Sequence, residues 1–262
     1  MRHKKYLSIS STAISSHLRY LSPFLISRTF MILILLILYS LYSMILRNGG
    51  NFGGFTLLTL LYYLAVTNAI AAAGTSVFSE ISEEIKDGSC AYNLLRPIHY
   101  VAYKYFNSLG PAVLNLSISL VLGILTFGFL AGYDLDIIRR IFIAFPMLLL
   151  SLTLSFSISL LIGLLAFFME ETAPLNWIYG KVQFLLGGAF IPLDMFPEWL
   201  ESLVKHLPTA YIVYYPAKCA VSPWGINHLK VLAVQFIYAA LLLTAGLLLF
   251  KKGIKEIQVN GG

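Results

Sequence analysis

The sequence predicts an all-α polytopic membrane protein with six transmembrane helices, and three observations support this prediction. Hydrophobic residues make up 58% of the 262-residue chain and charged residues only 11%. A soluble domain carries about 25% charge because water must solvate its surface, so lipid is the expected solvent for much of this exterior. Apolar runs recur that are long enough to cross a hydrocarbon core of about 30 Å, which takes roughly 20 helical residues. The basic residues gather at the ends of those runs, as the positive-inside rule describes.

The runs cover residues 24–46, 52–77, 105–131, 141–169, 174–191 and 229–250. The fourth is long enough to tilt. The fifth carries Lys181 and ends in Gly187, Gly188 and Pro192, which should break the helix before it exits. Arg2, Lys4, Lys5, Arg19, Arg28, Lys86, Arg96, Lys104, Lys251, Lys252 and Lys255 fall on one side. Arg47, Arg139, Arg140, Lys205, Lys218 and Lys230 fall on the other. The richer side is expected to be cytoplasmic, with both termini there, in a multi-pass protein of the cell (inner or plasma) membrane. No repeat or soluble-domain-sized insertion is visible, so residues 1–262 are expected to form one transmembrane domain.

Tyr6, Ile9, Ala13, Ile14, Leu18 and Leu21 recur at helical spacing with serines opposite, behind a basic cluster. Residues 1–22 therefore read as a helix lying in the cytoplasmic interface, the alternative being a frayed tail. Ser22-Pro23 suits the cap and first turn of the first span. This stretch lacks the short apolar core and cleavage site of a secretory signal, so it is expected to be retained.

The net charge of +6 does not form a nucleic-acid footprint, because the cations flank apolar runs instead of sharing one face. Cys90 and Cys219 are too few for a disulfide framework and fall on opposite predicted sides. No phosphate loop, His-Glu-x-x-His or Gly-x-Ser-x-Gly motif occurs, and the five histidines are scattered without metal-ligand spacing. No metal or cofactor site is expected in this chain. Gly49-Gly50-Asn51-Phe52-Gly53-Gly54 reads as a tight turn.

The long predicted cytoplasmic link, 78–104, contains Glu80, Glu83, Glu84 and Asp87 at i, i+3, i+4 and i+7, on one helical face ending at Gly88. Like charges at a helix C-terminus repel one another and oppose the macrodipole. A basic partner surface would explain them; a solvated juxtamembrane loop is the alternative.

Glu80-Ile81 through Glu84-Ile85-Lys86-Asp87-Gly88, followed by Leu94-Leu95-Arg96-Pro97-Ile98, resembles the cytoplasmic loop of type-2 ATP-binding-cassette (ABC) exporter permeases. That pattern runs acidic-Ile-basic-x-Gly, then Leu-Leu-Arg/Lys-Pro; Asp87 before the glycine is a small departure. A second match runs from Gly187-Gly188-Ala189-Phe190-Ile191-Pro192-Leu193-Asp194-Met195-Phe196-Pro197 to Leu207-Pro208 and Tyr211-Ile212-Val213-Tyr214-Tyr215-Pro216. It is similar to the link after the fifth span of the same family. The resemblance implies two permease subunits, alike or related, above two ATPase subunits that bind ATP and Mg. It also implies that the N-terminal helix, the 78–104 link with Arg96, and the loop at Glu170 and Glu171 contact those ATPases.

The link 192–228 is external in this topology and unusually apolar. Trp199, Leu200, Leu203, Val204 and Leu207 would form one helix face, with Glu198 and Glu201 in the first turn and Lys205 and His206 in the last. A second short helix is expected over 211–220. Together they predict a re-entrant external hairpin, or an amphipathic loop resting on the membrane. Lys181 is expected either to snorkel or to line the pathway, where Gln183, Asn115 and the break residues Gly187, Gly188 and Pro192 are further pathway or gate candidates. Asn68, Asn115, Gln183 and Gln235 are otherwise expected to make interhelical hydrogen bonds, and Ser151, Ser155, Ser159 and Gly163 to pack against a neighbouring helix. Taken together, the residues and the resemblance indicate a transport subunit without catalytic activity. A secondary transporter or channel lacking an ATPase is the alternative reading, and its usual internal repeat is not evident here.

Overall fold

The computed structural model describes residues 2–19, 21–47, 54–74, 77–222 and 226–260, without the side chains of residues 2–4, 21–23 and 256–260. Among the described residues every regular element is helical. The α-helices are α1 (Arg2–Arg19), α2 (Leu21–Arg47), α3 (Leu57–Ala72), α4 (Val77–Lys86), α5 (Cys90–Leu94) and α6 (Tyr100–Ala131). They continue with α7 (Ile137–Leu164), α8 (Ala173–Leu186), α9 (Glu198–Val204), α10 (Pro208–Ile212), α11 (Tyr214–Val221) and α12 (His228–Asn260). Short 3-10 turns occur at Leu165–Phe167 and Leu193–Met195. Of the predicted glycine turn at 49–54, residues 49–53 lie outside the described residues; Gly54 takes φ +86°.

Among the described residues, five stretches are long and apolar enough to cross a membrane: Phe24–Arg47, Leu57–Lys86, Tyr100–Ala131, Ile137–Phe167 and His228–Lys255. The remaining predicted run forms α8, a helix of only 14 residues. At 1.5 Å per residue it reaches about 21 Å, short of a bilayer core. α2 begins at Leu21, so the helix is already under way at the predicted cap Ser22.

α3 is the central helix. Leu60 through Val66 are each at most 1% exposed, as expected of a helix apolar on every side. α6 lies against it so closely that a Cβ on Gly123 would sit 2.8 Å from the Ala65 methyl. α7 buries the stripe Ser151, Ser155, Ser159 and Gly163, and Gly163 backs onto Ile81 of α4. These small residues let backbones approach where lipid offers no competing hydrophobic drive. α2 and α12 sit outside, with Phe30, Ile37, Met44, Phe236, Leu241 and Leu248 exposed.

The N-terminal segment is helical, as expected. α1 docks along α6: Tyr6 packs on Phe106 with ring centroids 4.7 Å apart, and Ser10 Oγ donates to Phe106 O at 2.6 Å. Gly110 permits this approach, since a Cβ there would meet Ser10 O at 2.6 Å. Tyr6 of the apolar face and Ser10 of the serine face thus both take part in a helix–helix contact.

Gly123→Val should overpack the α3–α6 crossing and lower stability by about 1–3 kcal/mol. Gly180→Ala, whose added Cβ meets nothing within 4 Å, should leave stability unchanged or slightly raised. Thermal unfolding of the two variants in the same detergent measures the contrast.

Candidate coupling surface and interrupted helix

At one end of the bundle α4 presents the predicted acidic face and stops as expected. Asp87 N donates to Glu83 O at 2.9 Å and Gly88 N to Ile85 O at 3.3 Å, and Gly88 takes φ +77°, a conformation that favours glycine. Hydrogen bonds from Ser89 hold the Asp87 carboxyl below its ordinary range.

The acids are not left to repel one another. Lys104 of α6, 3% exposed, pairs with Glu80 at 3.1 Å and Glu84 at 2.7 Å. Tyr100 donates to Glu84 Oε2 at 2.7 Å, and its ring stacks on Phe250 of α12 at 5.0 Å. The sequence reading ended a loop at Lys104, whereas α6 starts at Tyr100 and carries Lys104 into the acidic face. The premise of an unrelieved cluster is thereby corrected for Glu80 and Glu84, whereas Glu83 and Asp87 are exposed with no cation within 4.0 Å among the described residues. Burying the ammonium drives this arrangement, because a charge removed from water requires a paired charge.

The other coupling candidates gather at this end. Lys86 pairs with exposed Glu171 at 3.0 Å, Ser82 bonds Thr172 at 3.0 Å, and Lys5 donates to Pro97 O at 3.0 Å. Glu83 and Glu170 are exposed. Arg96 lies 5.4 Å from the Tyr103 ring centroid. Beside it, α5 and its C-cap hold Tyr92 and Leu95 outward, 76% and 82% exposed. The sequence reading gave those two side chains no role, although Leu95 lies inside the motif it singled out.

The predicted helix break is present. α8 ends at Gly187, whose N donates to Gln183 O at 3.0 Å; Gly188 adopts φ +79°, and Pro192 opens the following 3-10 turn. Three consecutive carbonyls freed by the break are met by hydroxyls. Tyr63 donates to Gly188 O at 2.5 Å, Thr67 to Ala189 O at 2.9 Å and Tyr42 to Phe190 O at 2.9 Å. Thr67 lies ten residues into α3, about 15 Å along its axis. The unwound backbone therefore sits beside the middle of the central helix, buried in protein as non-helical backbone at membrane depth must be. A Cβ on Gly188 would meet the Tyr63 hydroxyl at 2.9 Å.

Beyond the break, Asp194 organises the link. Its Oδ1 accepts from Lys218 at 2.6 Å, Tyr214 at 2.8 Å and Lys205 at 3.1 Å, and Lys205 also pairs with Glu201. Burial alone would push this carboxyl up; the bonds from Lys218 and Tyr214 and the two lysine charges outweigh it and hold it below its ordinary range. The predicted apolar face of α9 divides. Val204 is buried and Leu200 and Leu207 half-buried, whereas Trp199 and Leu203 point outward. The predicted helix over 211–220 is two helices, α10 and α11.

The intramembrane polar residues separate by role. Gln235 of α12 donates to Tyr211 O at 2.8 Å and Met147 O at 3.2 Å, an interhelical bond as expected. Asn68 instead donates to Leu64 O of its own helix at 2.8 Å. Lys181 is exposed, with its ammonium 5.3 Å from the Trp177 ring centroid, and Gln183 is half-buried on the same helix. Asn115 is not with them. Its Oδ1 accepts from Arg28 at 2.9 Å and lies 3.3 Å from His17 Nε2. Arg28, 8% exposed, also donates to Ser119. Among the described residues no carboxylate lies within 4.0 Å of it. A cation inside an apolar run was visible in the sequence; its burial and its partners 87 and 91 residues away were not.

Lys104→Met leaves the exposed Glu80 and the half-buried Glu84 without their counter-ion and should cost about 1–2 kcal/mol, less than for a fully buried pair because water screens both carboxylates. Adding Glu84→Gln should restore much of that loss, because the less exposed of the two unpaired charges is removed. Thermal unfolding of the single and double variants tests this, and additive losses would contradict the pairing.

No curated protein matches the sequence significantly. A family model described as an ABC-2 family transporter protein matches residues 30–261, which takes in four of the long apolar helices entire, nearly all of the first, the acidic α4 face and the interrupted segment. That match, on a multi-pass helical chain, supports a transport permease subunit rather than a catalytic one. The chain belongs to the ABC-2 family of transporter proteins.

Proposed function

We propose that this chain is the membrane-spanning subunit of an ATP-driven exporter of hydrophobic or amphiphilic molecules. It works with a second permease subunit, identical or related, above two ATPase subunits that bind ATP and Mg. The Lys/Arg asymmetry supports a cytoplasmic location for the α4–α5 end and for both termini, in the cell's plasma or inner membrane. α8 and the unwound stretch after it lead from the α4 end towards the α9–α11 link, which supports a sixth, interrupted crossing. The outward Trp199 and Leu203 support a re-entrant external link dipping into the outer leaflet.

The observation that carries the ATPase partnership is α5. Tyr92 and Leu95 stand exposed beside Arg96, next to an acidic face whose Glu80 and Glu84 share one lysine within the chain and whose Glu83 and Asp87 stay exposed. An apolar pair with a flanking arginine is a docking element suited to a protein groove. Closure of the ATPases would then push on α4 and α7, which pack together through Ile81 and Gly163, and move the spans as rigid bodies.

Tyr92→Asp with Leu95→Asp should reduce ATPase co-purification at least about tenfold, given roughly 1.5–3 kcal/mol for each large apolar side chain buried. Glu83→Lys should reduce it less. Wild-type ATPase recovery in the first variant would move the contact away from α5.

In sealed cells, cysteines placed at Arg47 and Glu198 should label from outside while those at Lys86 and Lys252 stay protected. The reverse pattern would invert the orientation.

A further inference from the structure

A cavity of about 730 Å³ opens between the α9–α11 link and α12, a volume typical of small-molecule sites. Three ammonium groups line it, those of Lys205, Lys218 and Lys230. No carboxylate lines it among the described residues. Lys205 and Lys218 converge on one oxygen of Asp194, and the other oxygen of that carboxylate is buried without a partner. One acid thus serves two cations, helped only by Glu201 at Lys205. Lys230 has no carboxylate within 4.0 Å among the described residues and is exposed. The balance at this site is three cations against two acids, with the acids behind the wall and the cations on it.

Apart from His206 and Asn227, the rest of the lining is tyrosine and aliphatic. Tyr211 and Tyr215 pack with centroids 4.5 Å apart and rings tilted by 31°, and Tyr211 meets Tyr238 at 5.5 Å. Val231 and Val234 of α12 complete an apolar wall. Convergent positive charge at the mouth of a cavity favours an anion. A tyrosine and valine wall favours an apolar body, with the phenol hydroxyls at its wet edge.

We propose that this cavity binds an amphiphile by an anionic headgroup, phosphate or carboxylate, held among Lys205, Lys218 and Lys230, with its apolar part along Tyr211, Tyr215 and Val234. This deepens the export reading by naming a ligand class at the outer end of the protein. It rests on the membrane topology but not on the ATPase partnership, so loss of ATPase co-purification leaves the binding result untouched.

The test uses the purified full-length chain in a zwitterionic detergent, with binding of short-chain phosphatidylglycerol and phosphatidylcholine followed by native mass spectrometry. Phosphatidylglycerol should bind at least about tenfold more tightly. Lys230→Glu should remove that preference, Lys230→Arg should retain it, and both variants should keep the wild-type unfolding temperature, since this lysine holds no ion pair. Inorganic phosphate at millimolar concentration should displace the lipid poorly. Equal binding of the two lipids, or an unchanged preference in Lys230→Glu, overturns the proposal. Complete displacement by inorganic phosphate overturns the amphiphile assignment in favour of a free-anion site. If Lys230→Glu unfolds, Val234→Asp provides the second arm: loss of lipid binding in a folded variant supports the apolar seat, and undiminished binding overturns it.

Discussion

The structure depends on one constraint, that unwound backbone deep in a membrane protein must find hydrogen-bond partners inside the protein. Gly187 and Gly188 end α8 beside the middle of α3, and the carbonyls of Gly188, Ala189 and Phe190 lose their helical donors there. Tyr63, Thr67 and Tyr42 replace them from two neighbouring helices. An unpaired carbonyl at that depth costs several kcal/mol, so α2 and α3 are held against the break. The glycines are needed because a Cβ on Gly188 would crowd the hydroxyl that satisfies its own carbonyl.

Buried charge organises the two ends in the same way. Lys104 gathers Glu80 and Glu84 at one end, and Asp194 gathers Lys205 and Lys218 at the other. In each case the group is drawn from water by packing and compensated from other elements, which fixes how those elements sit. Tyr100 extends the first network onto α12 by stacking on Phe250. Arg140 extends the second end onto α7 by joining Asp134 at 2.9 Å and the Val221 carbonyl at 2.9 Å. Gln235 ties α12 to both α7 and α10. α4 is thus joined to α6 through Lys104, α6 to α12 through the Tyr100–Phe250 stack, and α12 to α7 through Gln235.

Arg28 follows a different pattern. Its guanidinium is buried among neutral partners, Asn115 and Ser119, with the Phe24 ring centroid 4.9 Å away. Neutral hydrogen bonds and a ring face disperse the charge without cancelling it. Cavities flank this group: one of about 310 Å³ is lined by Arg28 with Asn68, and one of about 490 Å³ by its partner Asn115 together with His17 and Glu80.

The sequence by itself determined the class of solvent, the number of long apolar helices to within the interrupted one, the helix stop at Gly88 and the break at Gly187 and Gly188. All of these are local: apolar run length, the positive φ that glycine tolerates and the missing donor of proline act within a few residues. It also located the α4–α5 motif, because that resemblance is carried by contiguous residues. Only the tertiary structure decided what each charge meets. Glu80 and Glu84 read as an unrelieved acidic face until α6, starting five residues early, carried Lys104 to them across 24 and 20 residues. The contact of Ser10 with Phe106 likewise appears only once Gly110 lets α1 settle on α6. Charge and hydrogen-bond pairing are set by distance in space, and sequence separation does not encode that distance until the helices are packed.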